Sequence, residues 1–91
     1  GLRKMGDNLE KQLDSGIVIL GSKLDNKVLF VAKVTDDLVA EGYHAGNIIG
    51  EVAQVAGGGG GGRPDMAQAG GSKPDKITAA FAKAREIIKE N

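Results

Sequence analysis

Between Gly57 and Gly71 the chain reads GGGGGGRPDMAQAGG. Six glycines stand in a row, then Arg63-Pro64-Asp65, then Met66-Ala67-Gln68-Ala69, closing on Gly70-Gly71. Eight of the fifteen glycines of the chain lie in this stretch. Ordering a glycine costs about 0.5–1 kcal/mol more than ordering an alanine. A fully ordered run of this length would carry about 3–6 kcal/mol against a domain stability of about 5–15 kcal/mol. The sequence therefore implies that the run stays mobile in the folded state or is ordered by something it binds.

Outward from the run, the pattern is that of a packed domain. On the N-terminal side, Ala45 to Ala56 places Ile48, Ile49, Val52, Val55 and Ala56 on one helical face, and the helix breaks at Gly57. Gly46 and Gly50, one turn apart, leave a smooth strip that another backbone could approach. Before it, Thr35-Asp36-Asp37 offers caps for a helical turn ending at Gly42. The stretch Lys27–Thr35, KVLFVAKVT, reads as a central strand: Val28, Phe30, Ala32 and Val34 point to one face, Leu29 and Val31 to the other. Ile17-Val18-Ile19-Leu20 is a second strand, and the Asp25-Asn26 turn signal makes the two an antiparallel hairpin. On the C-terminal side, Met66–Ala69 is a short third strand. Pro74 then opens a helix to about Glu90, with Ile77, Ala80, Phe81, Ala84, Ile87 and Ile88 on its apolar face. Leu2, Met5, Leu9 and Leu13 recur at helical spacing ahead of Asp14-Ser15-Gly16. The expected fold class is α/β: a small mixed sheet, made of a hairpin plus a short third strand, with packed helices.

Ninety-one residues make one small domain. Only Phe30, Tyr43 and Phe81 are aromatic, so the core is aliphatic. There is no cysteine, which fits a cytosolic protein and removes disulfides and thiolate ligands. No apolar run approaches the roughly 20 residues that span a bilayer, and no membrane partner is expected. The chain opens on Gly1 rather than methionine and reads as a piece of something longer. Twelve basic and twelve acidic residues cancel, so a nucleic-acid binder with this balance must gather its cations locally.

Little in the chain points to catalysis. One histidine cannot build a zinc site, and nothing pairs His44 with Ser15, Ser22 or Ser72. Asp36-Asp37 reads as helix capping, and His44 as a partly exposed residue at a helix start. The glycine run lacks the GxxxxGK[ST] pattern, of which Gly70-Gly71-Ser72-Lys73 is a weak echo. It also follows a helix and precedes a strand, the reverse of a dinucleotide fingerprint. No cofactor is expected. What remains is a binding surface. Side-chain-free backbone N–H groups can approach an anion. Arg63 can pair a phosphate bidentately, and Lys73 and Lys76 flank the start of the last helix.

These residues carry a resemblance. GGGGGGRPDMAQAGG closely resembles the signature of the C-terminal domain (C-Ala) of alanyl-tRNA synthetases. The related module of DHH-type phosphoesterases carries a shorter glycine run followed by histidine. KVLFVAKVT, the segment Gly42-Tyr43-His44-Ala45-Gly46 and the terminal helix are similar as well, so the likeness spans roughly residues 15–91. It implies a globular glycine-motif domain over 15–91, with residues 1–14 as the end of a helical subdomain. It also implies a non-catalytic module that binds alanine tRNA at its outer corner, where the D and T loops meet. There it would help aminoacylation and editing act on one tRNA, beside other domains of the synthetase in the cytoplasm. The candidate RNA contacts are Gly57, Gly58, Gly59, Gly60, Gly61, Gly62, Arg63, Gln68, Lys73 and Lys76. Arg63 stands where the phosphoesterases have histidine, and the chain has no DHH metal motif, so no phosphodiester cleavage is expected. A homodimer without RNA contact is the alternative, motivated by the Leu2/Met5/Leu9/Leu13 seam and the Gly46/Gly50 strip.

Overall fold

The structure is a computed structural model that describes residues 1–12 and 14–90. Its elements are α1 (Leu2–Lys11), β1 (Ile17–Lys23), β2 (Val28–Val34), α2 (Asp36–Ala40), α3 (Ala45–Val55), β3 (Gly59–Gly62), β4 (Met66–Gly71), a single 3-10 turn at Pro74–Lys76, and α4 (Ile77–Glu90). The strands form one sheet in the order β1-β2-β4-β3, with every neighbouring pair antiparallel.

The α/β architecture read from the sequence is the one observed, with two differences in detail. The third strand continues through Gly70 to Gly71, and the glycine run, read as a loop, supplies a fourth strand at the sheet edge. With that strand the sheet is antiparallel throughout rather than mixed. The reason is the turn at Pro64-Asp65. Arg63 N–H donates to the Met66 carbonyl at 3.0 Å, which folds the glycines straight back along β4. Glycine is depleted in strands, so nothing local announces β3; its neighbours impose the conformation.

The core lies on one face of the sheet. Val28, Phe30, Ala32 and Val34 of β2 are fully buried beneath α3 and α4, as the alternation of β2 requires. Ile48, Ile49, Val52 and Ala53 of α3, with Ala80 and Ala84 of α4, close over them. Phe30 meets Phe81 edge-on, with centroids 6.0 Å apart and planes at 83°. A Cβ at Gly21 would come within 2.8 Å of the Phe81 ring tip, so glycine there makes room for the ring. α3 is tied at both ends: Ala45 N–H donates to the Pro64 carbonyl at 2.8 Å, and Gly58 N–H to the Ala53 carbonyl at 2.9 Å.

α1 covers part of the opposite face, over β1 and β2. It docks through its small and charged side, not through its apolar stripe. Gly6 is buried against the Val31 and Lys33 side chains. The Lys33 ammonium lies 2.6 Å from Asp7 Oδ1 and 3.4 Å from Glu10 Oε1. Met5 and Leu9 of the expected seam remain 53% and 38% exposed, and Leu13 lies outside the described residues.

The hydrogen bond from Lys33 holds the Asp7 carboxyl below the usual aspartate range, and the same bond raises Lys33. A depressed carboxyl pKa contributes stability that is present above its unfolded value and lost as pH falls through the folded one. A raised lysine pKa contributes stability that is lost only as pH rises through its folded value. α1 is therefore expected to lose protection on acidification. Hydrogen-exchange protection factors of its amides should fall across the acid range in the wild type. In Asp7→Asn they should be lower at neutral pH and lack that acid dependence.

Candidate nucleic-acid interface

β3 is a strand without side chains, and the physical question is what holds it. One neighbour is β4, in the register Gly59↔Gly70, Gly60↔Ala69, Gly61↔Gln68, Gly62↔Ala67. Arg63 and Met66 share a hydrogen bond, and bonded pairs alternate with unbonded ones in an antiparallel ladder. The bonding groups of Gly61 and Gly59 therefore point at β4, and those of Gly60 and Gly62 point away from it. What they meet is α3. A Cβ at Gly46 would lie 2.7 Å from the Gly62 carbonyl oxygen, and one at Gly50 would lie 3.3 Å from that of Gly60. The smooth strip on α3 thus receives a backbone from within the same chain, and its motive for a dimer falls away.

The six glycines divide by position. A Cβ at Gly58 would strike the Gly70 carbonyl, one at Gly60 would lie 2.6 Å from Ala69, and one at Gly62 would lie 2.9 Å from Ala67. Gly57 has φ of 75°, which disfavours a side chain there. A Cβ at Gly59 or Gly61 would meet nothing within 4 Å. These two share the face of Gln68 and Gly70, the half of the sheet's second face that α1 leaves bare. By register Arg63 continues the same face.

The expected anion cradle of loop N–H groups is not what the structure offers. Gly57 N–H donates to the Gln54 carbonyl, Gly58 N–H to Ala53 and Arg63 N–H to Met66. The N–H groups of Gly59 and Gly61 face β4, and those of Gly60 and Gly62 face α3. The run contributes a flat surface instead of a ring of donors.

The structure also separates the predicted cations. Arg63 sits at the β3–β4 turn, 68% exposed, with Asp65 Oδ1 3.4 Å from its Nε. A pair this exposed holds the guanidinium loosely. Lys73 and Lys76 lie beyond the other end of β4. There the Lys73 stem packs beside Gly57, Lys73 N–H donates to the Ala56 carbonyl, and Ser72 Oγ–H donates to the Gly57 carbonyl. The length of β4, at about 3.3 Å per residue, puts roughly 17 Å between the two ends. Gln68 stands between them, exposed, opposite Gly61.

The residues set aside from chemistry have structural work. His44 caps α3, its Nδ1 accepting from Asn47 N–H at 3.1 Å. Asp36 and Asp37 lie in the first turn of α2. Asp37 accepts from the Ser15 and Thr35 hydroxyls, and these bonds hold its carboxyl below the usual range. Among the described residues no group of histidine, cysteine, aspartate or glutamate is placed to hold a metal. No helix among them is long and apolar enough to cross a membrane.

Comparison with known proteins places this geometry. The DHHA1 domain matches residues 1–90, α1 included. The chain belongs to the DHHA1 domain family. Its curated relatives include alanine–tRNA ligases of Natranaerobius thermophilus, 57% identical over 88 residues, and of Alkaliphilus oremlandii, 55% identical over 87. These alignments cover 97% and 96% of the chain. The chain spans about a tenth of the length of those relatives. The solved C-Ala domain of Aquifex aeolicus alanyl-tRNA synthetase superposes with a TM-score of 0.87 at 37% identity, covering 94% of this chain and 77% of that one. C-Ala is a non-catalytic domain of that ligase.

In this DHHA1 domain, sequence reasoning passed over two residues on the bare face. Leu29, on the second face of β2, is 42% exposed, although a central strand that is apolar on both faces implies cover on both. Arg3, on the first turn of α1, lines a concavity together with Leu29, Val31 and Gln68.

The division of the glycines makes a stability prediction. Gly59→Ala and Gly61→Ala should each raise unfolding stability by about 0.5–1 kcal/mol through the unfolded chain. Gly60→Ala and Gly46→Ala should each lower it by about 1–3 kcal/mol, the usual cost of overpacking. Urea unfolding followed by circular dichroism measures both signs.

Proposed function

We propose that this chain is the tRNA-binding C-terminal module of an alanine–tRNA ligase. In this reading it contacts the outer corner of alanine tRNA and helps the aminoacylation and editing centres of the same cytoplasmic enzyme act on one tRNA. Residues 15–91 form the binding unit, and residues 1–14 end a helical subdomain that leads to the other domains. One observation carries the RNA reading: a strip on the β3–β4 face where Gly59, Gly61 and Gly70 raise no side chain beside Gln68, with Arg63 at one end and Lys73 and Lys76 beyond the other. Its support is the ligase identity of the relatives. Gly57, Gly58, Gly60 and Gly62 shape the strip. Gly59, Gly61 and Gln68 form its surface, and the cations meet phosphates.

Filter binding of an alanine tRNA transcript at two salt concentrations tests this. The wild type is expected to bind at low salt and to weaken steeply as salt rises. Arg63→Ala combined with Lys76→Ala should reduce the slope of log K against log salt by about two. Absence of binding at low salt, or a double variant that binds like the wild type, refutes the proposal.

Self-association has one observation in its favour, the half-exposed Met5 and Leu9, one turn apart on the outer side of α1. Sedimentation equilibrium at high concentration checks it. On this reading the wild type dimerises and Met5→Glu/Leu9→Glu is a monomer.

A further inference from the structure

Lys33 is an unexpected residue for its place. It stands in β2, a strand paired on both sides, and its side chain rises on the second face of the sheet with that of Val31. α1 lies over it and leaves it 13% exposed. An apolar residue there would seat a helix at least as well, because burying an ion pair returns little net stability. What an ion pair adds is exchangeability. Another anion can take the place of the carboxylates, whereas no anion competes for an apolar contact.

The printed partners of this ammonium all belong to α1. Asp7 Oδ1 lies 2.6 Å away and Glu10 Oε1 3.4 Å, and both carboxylates stay open to solvent, at 40% and 26% exposure. Gly6, the one buried residue of α1, rests between them on the Val31 side chain and the Lys33 stem. The connection that follows the helix is pinned. Gly16 N–H donates to Thr35 Oγ1 at 3.0 Å, Thr35 N–H donates to the Gly16 carbonyl at 3.1 Å, and Ser15 Oγ–H donates to Asp37. A helix pinned beyond its C-terminal end and latched at mid-length by one ammonium can lift as a unit about Gly16.

The register shows what lies beside the latch. Lys33 pairs with Met66 of β4, and Met66 pairs with Arg63 across the hairpin turn. Paired residues raise their side chains on the same face, so Lys33, Met66 and Arg63 form one row. Two strand spacings, about 10 Å, separate the two cations. Each is held by carboxylates of this chain, Arg63 by Asp65 at 3.4 Å and Lys33 by Asp7 and Glu10. The pair at Arg63 is exposed and exchanges without moving a helix. The pair at Lys33 exchanges only when α1 lifts.

We infer that α1 is an autoinhibitory lid: its carboxylates hold Lys33 in the place of an RNA phosphate, and RNA engaged at Arg63 displaces the helix to reach Lys33. This rests on the RNA-binding reading and goes beyond it, adding Lys33 as a phosphate contact and α1 as the element that moves. By linkage, holding α1 down weakens RNA binding by the same factor by which RNA loosens α1.

The test uses the 91-residue chain with an alanine tRNA transcript at low salt. Hydrogen exchange is the first readout. The amides of α1 are expected to exchange at least about fivefold faster in the complex, while those of β2 and α3 do not. Affinity is the second. Asp7→Asn is expected to bind at least about fivefold more tightly, and Lys33→Gln to lower the slope of log K against log salt by about one. Combining the two separates unmasking from the mere loss of a negative charge: the gain from Asp7→Asn should vanish in the Lys33→Gln background. Melting curves verify that each variant stays folded, and the exchange readout, which needs no variant, decides the case if Lys33→Gln does not. Amides of α1 that are unchanged or better protected in the complex overturn the lid and leave RNA binding standing. So does a gain from Asp7→Asn that survives in Lys33→Gln. No tRNA binding by the wild type overturns both readings.

Discussion

The contact on which this fold depends is between two backbones. Helix α3 offers Gly46 and Gly50, and strand β3 lays the carbonyls of Gly62 and Gly60 against them. No side chain could stand between these elements, because the Cβ positions fall within 2.7–3.3 Å of main-chain oxygens. Over β3 this closeness takes the place of the hydrophobic contact that seats α3 on the rest of the sheet. It also resolves the entropic cost of the glycine run. The strand is ordered neither by a ligand nor left mobile; it is held between β4 on one side and α3 on the other.

A second consequence is the closure of the sheet edge. An edge strand normally exposes a row of unpaired main-chain groups that invite another chain. Here those of Gly60 and Gly62 face a helix. The exposed feature of β3 is its face and not its edge, which is why the binding surface is flat and lacks an array of donors.

Much of the architecture was legible in the sequence. KVLFVAKVT shows its central position by being apolar on both faces, and Ile77 to Ile88 shows its helix by spacing. The place of His44 at a helix start is legible too, while its cap bond to Asn47 N–H appears only in the structure. The strand in the glycine run was not legible, since glycine carries no alternation to read and its pairing is imposed by Pro64-Asp65 and by α3. The docking side of α1 was also hidden. Its apolar stripe reads either as a face packed on the domain or as a seam, whereas Gly6 and the Lys33 ion pairs are what dock the helix and leave Met5 and Leu9 exposed. For the candidate site, the motif itself was plain, but its geometry was not. Arg63 and Lys73 are ten positions apart in sequence and fall at opposite ends of a hairpin.

The bond between Ala45 N–H and the Pro64 carbonyl, 2.8 Å long, has a mechanical meaning. It fastens the tip of the β3–β4 hairpin to the first residue of a core helix. A load applied at Arg63 is passed directly into α3, and from there into Ile49 and Val52 at the centre of the domain. The tip cannot swing as a tether would. It behaves as a rigid handle, so whatever grips it sets the orientation of the whole body and of anything covalently joined to it.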